Sequence, residues 1–435
     1  MRSIMKHFLS SFLFILFISL FLPALSNAQR IHIFIGSPGK NRVPIALPQP
    51  MGQSAASKQF HEIVRHDLEL SGWVEIVNEG SYIESNTAGI RPGEFRFRDW
   101  TVTGAIGLAK TKLEVSEDVR AEVWVYDVPG EQKLGAKAFR AEAKNMRNIA
   151  HKVANEIIFQ ITGKQSNFNT RFSCSGDFGG NKEIYIVDFD GYNKRKITKN
   201  GSINLQPSWS PDGTKIAYTS YVNGNPDLYV ADIEKQKIKR ISSRKGINIG
   251  ASWHPTLPQI ALTLSPKGDP DIFIIDSDSG NTLERFTKQF GIDTSPSYSP
   301  DGTQITFVSE RAGSAQIYIG NADGSNIKRL TFKGTHNTDP VWSPDGTKIA
   351  YVSRSKVFDI HVINVDGTGH KQLTANNQDN EDPTWSPDGN FIAFSSNRTG
   401  TPHIWMTTLD GDHQVQLTQG RGGYTNPSWS PPFDW

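Results

Sequence analysis

From residue 204 onward, short apolar runs alternate with polar turns in one recurring order. Lys215-Ile-Ala-Tyr-Thr219, Asp227-Leu-Tyr-Val-Ala231 and Lys239-Arg-Ile241 return as Lys348-Ile-Ala-Tyr-Val352, Asp359-Ile-His-Val-Ile363 and Lys371-Gln-Leu373. Runs this short, rich in β-branched and aromatic residues and bounded by turn residues, predict strands. Asp-Gly between two such runs predicts a hairpin, because glycine tolerates the positive φ of the turn. Each set opens on one phrase, an aromatic between small residues and proline, as in Pro207-Ser-Trp209-Ser-Pro211. The aromatics of the six copies, Trp209, Trp253, Tyr298, Trp342, Trp385 and Trp429, lie 44, 45, 44, 43 and 44 residues apart. A four-stranded propeller blade has a period of about 40–45 residues.

The ends of the array set the number of blades. Three strands, Arg171-Phe-Ser-Cys174, Glu183-Ile-Tyr-Ile-Val187 and Lys196-Ile-Thr198, precede the first phrase, and the last phrase is followed only by Pro432-Phe-Asp-Trp435. A blade short of one strand and a strand short of its blade are complementary. Joining them predicts a six-bladed β-propeller over 170–435, closed by its C-terminal strand, with no open sheet edge. The second copy departs from the rest, with His254-Pro-Thr-Leu-Pro258 in place of Ser-Pro-Asp-Gly, which predicts a differently shaped turn in an intact blade.

The preceding stretch has another texture. Apolar Phe60, Ile63, Val64 and Leu68 recur at helical spacing between Ser57 and Leu70, with Gly72 as the stop, and a second helix is expected from Asn145 to Thr162, ending at Gly163. Trp100 to Lys110 and Lys112 to Val128 read as paired strands. Residues 29–165 are thus expected to form a small α/β domain with an extended arm at 29–36, and Lys164 to Asn169 the linker. Before it, Arg2, Lys6 and His7 lead into an apolar stretch of 15 residues, Phe8 to Leu22, then Pro23 and the small-residue site Ser26-Asn-Ala28. That pattern predicts a signal peptide over 1–28 with cleavage after Ala28. The stretch is shorter than the roughly 20 residues that span a bilayer.

Composition adds exclusions. The 435 residues carry a net charge of +2 and interspersed signs, which gives no support for nucleic acid or an anionic membrane as partner. Cys174 is the only cysteine, so an exported chain holds no internal disulfide. His61 and His66 are five residues apart and fall on different helix faces, unlike a zinc-protease pair at i and i+4. Gly36-Ser-Pro-Gly-Lys40 lacks the first glycine of a phosphate loop and spends a backbone donor on proline. No Gly-x-Ser-x-Gly elbow occurs. The Asp190-Gly, Asp323-Gly, Asp366-Gly and Asp410-Gly turns lack the ligand run of a calcium loop and read as hairpins. No catalytic, cofactor or metal residue is assigned. The phrase aromatics are expected to pack between blades, each worth roughly 3–5 kcal/mol on truncation to alanine.

Strand alternation sorts the loops onto two faces. The tight Pro-Asp-Gly and Asp-Gly turns share one. The other carries the longer loops that lead into each phrase and those between second and third strands, which is where a rigid scaffold places binding residues. The candidates there are Asn204, Gln206, Asn248, Ile249, Asp293, Thr294, His336, Asn337, Thr338, Asp339, Asp379, Glu381, Asp382, Arg398 and Tyr424.

The Trp-Ser-Pro-Asp-Gly phrase at this period, behind an exported α/β domain and the junction Ile161-Thr-Gly-Lys164 to Asn169-Thr-Arg171, resembles the TolB family, periplasmic components of the Tol-Pal system. The resemblance implies a non-enzymatic, monomeric periplasmic scaffold without cofactor or membrane insertion, serving outer-membrane integrity and constriction at division. It implies that the lipoprotein Pal docks on the looped face, where Asp339, Asp379, Glu381 and Asp382 would meet basic or amide groups. It also implies that TolA binds the arm Gln29, Arg30, Ile31, His32, Ile33, Phe34 and Ile35, whose alternation suits strand addition, and that other envelope proteins are further partners. A lectin or hydrolase using the central channel is the alternative of a different class.

Overall fold

The computed structural model describes residues 37–52, 54–84 and 88–433. The expected signal peptide, its cleavage site and the arm at 29–36 lie outside them. The described residues belong to one compact unit.

The α/β part is a five-stranded sheet in the order β2-β1-β3-β4-β5, formed by β1 (Val43–Ala46), β2 (Val74–Ile76), β3 (Gly107–Val115), β4 (Asp118–Asp127) and β5 (Gln132–Glu142). Helix α1 (Ala55–Leu70) starts on the Ser54 capping box and stops before Gly72, whose φ of +65° suits glycine. A short helix α2 (Arg98–Thr101) follows, and α3 (Met146–Thr162) ends on Gly163 at φ +72°. Both long helices therefore stand where expected. The strand boundaries do not: Trp100 lies in α2, and Lys112 lies inside β3, because the hairpin turns at Ser116–Glu117. That turn has no glycine or proline to mark it.

The propeller is six four-stranded sheets. Blades 2 to 6 are continuous in sequence. Blade 1 pairs the C-terminal strand Gly423–Trp429 with Arg171–Asp177, so the ring closes as expected. The phrases form the innermost strands, and their tryptophans act as staples: the indoles of Trp253, Trp342 and Trp385 donate to the carbonyls of Ser208, Ser297 and Val341 on the preceding innermost strand. Trp342 packs between Ile317, Ile319 and Leu330 of blade 4 and Ile349, Tyr351 and Ile363 of blade 5. Trp209, Tyr298, Trp385 and Trp429 are likewise buried, and Trp253 is half-buried. In the variant turn, His254 Nδ1 accepts from Thr256 N at 3.2 Å and Leu257 N at 3.0 Å, replacing the Asp212-type carboxylate cap of the other turns, and the blade is intact.

Candidate functional site

Backbone bonds fix the two faces. On one, the ends of the third strands of blades 1 to 5 bind the turn between first and second strands, as in Ile233 N to Thr214 O at 2.9 Å. On the other, which we call the mouth, the loops entering the phrases bind those between second and third strands, as in Tyr221 N to Ile203 O and Arg354 N to His336 O, both 2.9 Å.

Each innermost strand carries a bulge just inside the mouth, where its register against the second strand shifts. The residue there has a left-handed backbone in every blade: Gln206, Gly250, Ser295, Asp339, Asp382 and Asn426, with φ between +50° and +67°. Five of the six are not glycine. A non-glycine residue holds such a φ only where its surroundings over-determine it, which is common at binding sites. Together the six line a cavity of about 270 Å³ on the channel axis.

The ring is acidic on one side. Asn426 Nδ2 donates to Asp382 Oδ1 at 2.9 Å, and Ser295 Oγ lies 3.3 Å from Asp339 Oδ1. Burial, and then the neighbouring Asp382, push Asp339 up to about 6. Desolvation, then Asp382, Asp379 and Asp339, push Glu381 up to about 7, although its outer edge is exposed. The mouth therefore gains negative charge across the neutral pH range.

The structure separates the expected contact residues into two groups. Gln206, Ile249, Thr294, His336, Thr338, Asp339, Asp379, Asp382 and Arg398 are half-buried at the mouth, and Glu381 is exposed. Asn204, Asn248, Asp293, Asn337 and Tyr424 are fully buried and do not present a surface, which corrects their assignment. They instead clamp the loop bases. Asn204 Nδ2 donates to Lys182 O at 2.9 Å, Asn248 Nδ2 to Pro226 O at 3.0 Å and Asn337 Nδ2 to Gln316 Oε1 at 2.8 Å. Asp293 accepts from Arg311 at 3.1 Å, and Tyr424 packs edge-on against Phe178 and Tyr185. Arg398 belongs partly to the same framework, since it donates to Asn380 Oδ1 at 2.7 Å and stacks over Trp405.

Sequence reasoning passed over the apolar members of the mouth. Phe178, Ile203, Tyr221, Val222, Phe290, Ile292 and Phe332 are all exposed there, with Phe290 90 % and Phe332 75 % accessible. The opposite face exposes only Tyr192 and Leu257 among the described large apolar residues of its loops. Exposed apolar residues gathered on one face mark an interaction surface.

The opposite face is where the α/β part sits, against the third-to-fourth-strand turns of blades 1 and 6. Lys40 pairs with Asp410 at 3.6 Å and Asp412 at 3.5 Å, and Arg42 donates to His413 at 2.6 Å. Arg147 on α3 pairs with Asp190 and lies 5.0 Å over the Tyr192 ring. Beside it, His151 Nδ1 is 2.6 Å from Asp67 Oδ2. Asp67, His151 and Asp190 are the one described group of three close enough to share a metal ion. The Arg147 guanidinium already occupies the cation's place on Asp190, so the cluster reads as an electrostatic clasp. Burial alone would lower the His151 pKa, but the carboxylates of Asp67 and Asp190 outweigh it and hold it above the ordinary value. A raised folded-state pKa stabilises below the unfolded value of about 6.5, and that contribution is lost as pH rises through the folded value. Thermal unfolding should therefore fall in midpoint as pH is raised from 6 to 9, and His151→Gln should flatten that slope. A slope unchanged by the substitution contradicts the clasp.

Comparison with known proteins agrees with this architecture. The TolB beta propeller domain family matches residues 159–433, and the TolB amino-terminal domain family matches residues 31–134. Curated relatives include the Tol-Pal system protein TolB of Anaeromyxobacter dehalogenans, 33 % identical over 46 % of this chain and 47 % of that protein. The Tol-Pal system protein TolB of Bordetella pertussis is 31 % identical over 66 % of this chain and 65 % of that one. The matched region thus spans about half the length of the first of these relatives. Among solved structures, TolB from Acinetobacter baumannii superposes with a TM-score of 0.81 and 26 % identity, covering 92 % of this chain and 99 % of that one. With both its domains matched in order, this chain belongs to the TolB family.

Proposed function

We propose that the protein is a non-enzymatic periplasmic scaffold of the Tol-Pal envelope system. It binds Pal at the propeller mouth and TolA through residues 29–36, supporting outer-membrane integrity and constriction during division. The observation that carries the first half is the mouth itself: it is turned away from the α/β part, crowded with exposed apolar side chains, and acidic at its centre. Apolar anchors around a charged centre supply affinity and orientation respectively.

Glu381→Lys should weaken Pal binding in a purified-protein titration without lowering the melting temperature, since the side chain reaches solvent. Affinity for a basic or amide-bearing docking element should rise from pH 5.5 to 8, as Asp339 and Glu381 ionise around 6 and 7. Glu381→Gln should reduce that rise. Unchanged affinity in the lysine variant rejects this face.

The root of the arm is held by described contacts. Gly39 N donates to Gly72 O at 2.9 Å, and Lys40 and Arg42 are tied to the blade 6 turn. Alternating Ile31, Ile33 and Ile35 favour strand addition to a partner sheet edge. Deleting residues 29–36 should abolish TolA capture and leave Pal affinity intact. Retained TolA capture removes the arm from the account.

A further inference from the structure

The repeat gives every blade the same two outer positions, one on the third strand and one at the start of the fourth. The first is aromatic in five blades: Tyr185, Tyr229, Phe273, Tyr318 and Trp405, each paired across to the second strand. In blade 5 it is His361, opposite Tyr351. The second position, two residues before the fourth-strand partner, is Lys194, Ile238, Leu283, Ile327 and Gln414 in the other blades. In blade 5 it is His370. Only this blade has histidine at both. At the first position His361 interrupts a row of Tyr, Phe and Trp, and a departure from a consistent repeat is where function is expected; the second position varies from blade to blade.

The two imidazoles face each other. His361 Nδ1 is 3.2 Å from His370 Nε2, with ring centroids 5.0 Å apart, and Tyr351 lies beside both rings at 5.7 and 6.3 Å. Gly369, with φ +64°, immediately precedes His370 in the turn that brings it over His361. Metal–imidazole bonds of about 2.0–2.1 Å place two ligand nitrogens about 2.8–3.0 Å apart at a square angle and about 3.3–3.4 Å apart at a tetrahedral one. We infer that His361 and His370 form a two-histidine site for a divalent transition-metal ion, with copper(II) bound more tightly than zinc or nickel and water completing the coordination. Imidazole suits these three metals, and copper(II) leads their affinity order.

Gln372, the fourth-strand residue paired with His361, is engaged with Asp359 and the Thr374 carbonyl. Burial first, and then Lys333 in the loop at 331–339, push the His370 pKa down. The opposing reading is a plain hydrogen bond between neutral rings.

The experiment is calorimetric titration of the whole exported protein with copper(II), zinc and nickel chlorides. It is repeated on His361→Tyr and His370→Ile, which install the residue types of other blades. One copper(II) site should weaken by more than about tenfold in each variant, since losing a direct ligand costs at least what losing a ligand's supporting contact does. Hyperfine structure from two imidazole nitrogens should appear in the copper(II) spectrum of the parent and reduce to that of one in each variant. No binding, or binding of equal affinity in all three proteins, overturns the site. Pal affinity should be the same in all three, because the turn bearing His370 lies on the face away from the mouth.

Discussion

A chain ended at Gln419 does not melt as a cooperative propeller. It lacks Gly423–Trp429, the innermost strand of blade 1, and with it two large buried side chains, Tyr424 and Trp429. Trp429 packs against Phe172 with ring centroids 4.6 Å apart and donates to Thr170 Oγ1 at 2.8 Å, while Arg171 N donates to Ser430 Oγ at 2.9 Å. Truncating one such aromatic costs about 3–5 kcal/mol, and a folded domain has about 5–15 kcal/mol in all. Two aromatics and a whole strand ladder exceed that reserve. The strand left exposed, Arg171–Asp177, would also offer a free edge for aggregation. Calorimetry of the truncated and full chains decides it: an equally sharp transition at the same temperature would contradict closure.

The double substitution Phe290→Ser with Phe332→Ser should lower Pal affinity by about 10²–10⁴-fold. Two phenylalanines covered by a partner contribute about 1.5–3 kcal/mol each, and each 1.4 kcal/mol is tenfold in affinity. In the free protein both rings are already in water, so folding stability should move by no more than about 0.5 kcal/mol. The combination of intact melting and lost binding separates docking from folding. Affinity within threefold of the parent places the partner elsewhere.

The propeller was legible because the same physical problem is solved six times. The period, the Asp-Gly hairpins and the stranded final phrase specify blades and closure without reference to tertiary contacts. The α/β part repeats nothing, and β1, β2 and β5 were passed over for that reason. β1 is only four residues, and β5 is an exposed strand whose polar run Gln132 to Glu142 looks like a loop until β4 pairs with it.

The mouth was half-read. Position along the strand puts these residues at the looped end of the blades, but polarity was a poor guide to exposure. Asn204, Asn248, Asp293 and Asn337 are polar because they must satisfy backbone groups at the loop bases, and burial is what makes those bonds valuable. Phe290 and Phe332 were missed for the converse reason: an aromatic in a loop reads as core until its accessibility is seen. The left-handed ring also escaped, because its six members share no residue type and only Gly250 is glycine.

The most direct test is hydrogen exchange of the protein with and without Pal. Slowed exchange should concentrate in the loops at residues 286–294, 331–339 and 376–382, with the turns at 190–194 and 410–413 unchanged. Slowing confined to those turns, with the mouth loops exchanging as before, would contradict the docking face on which the account rests.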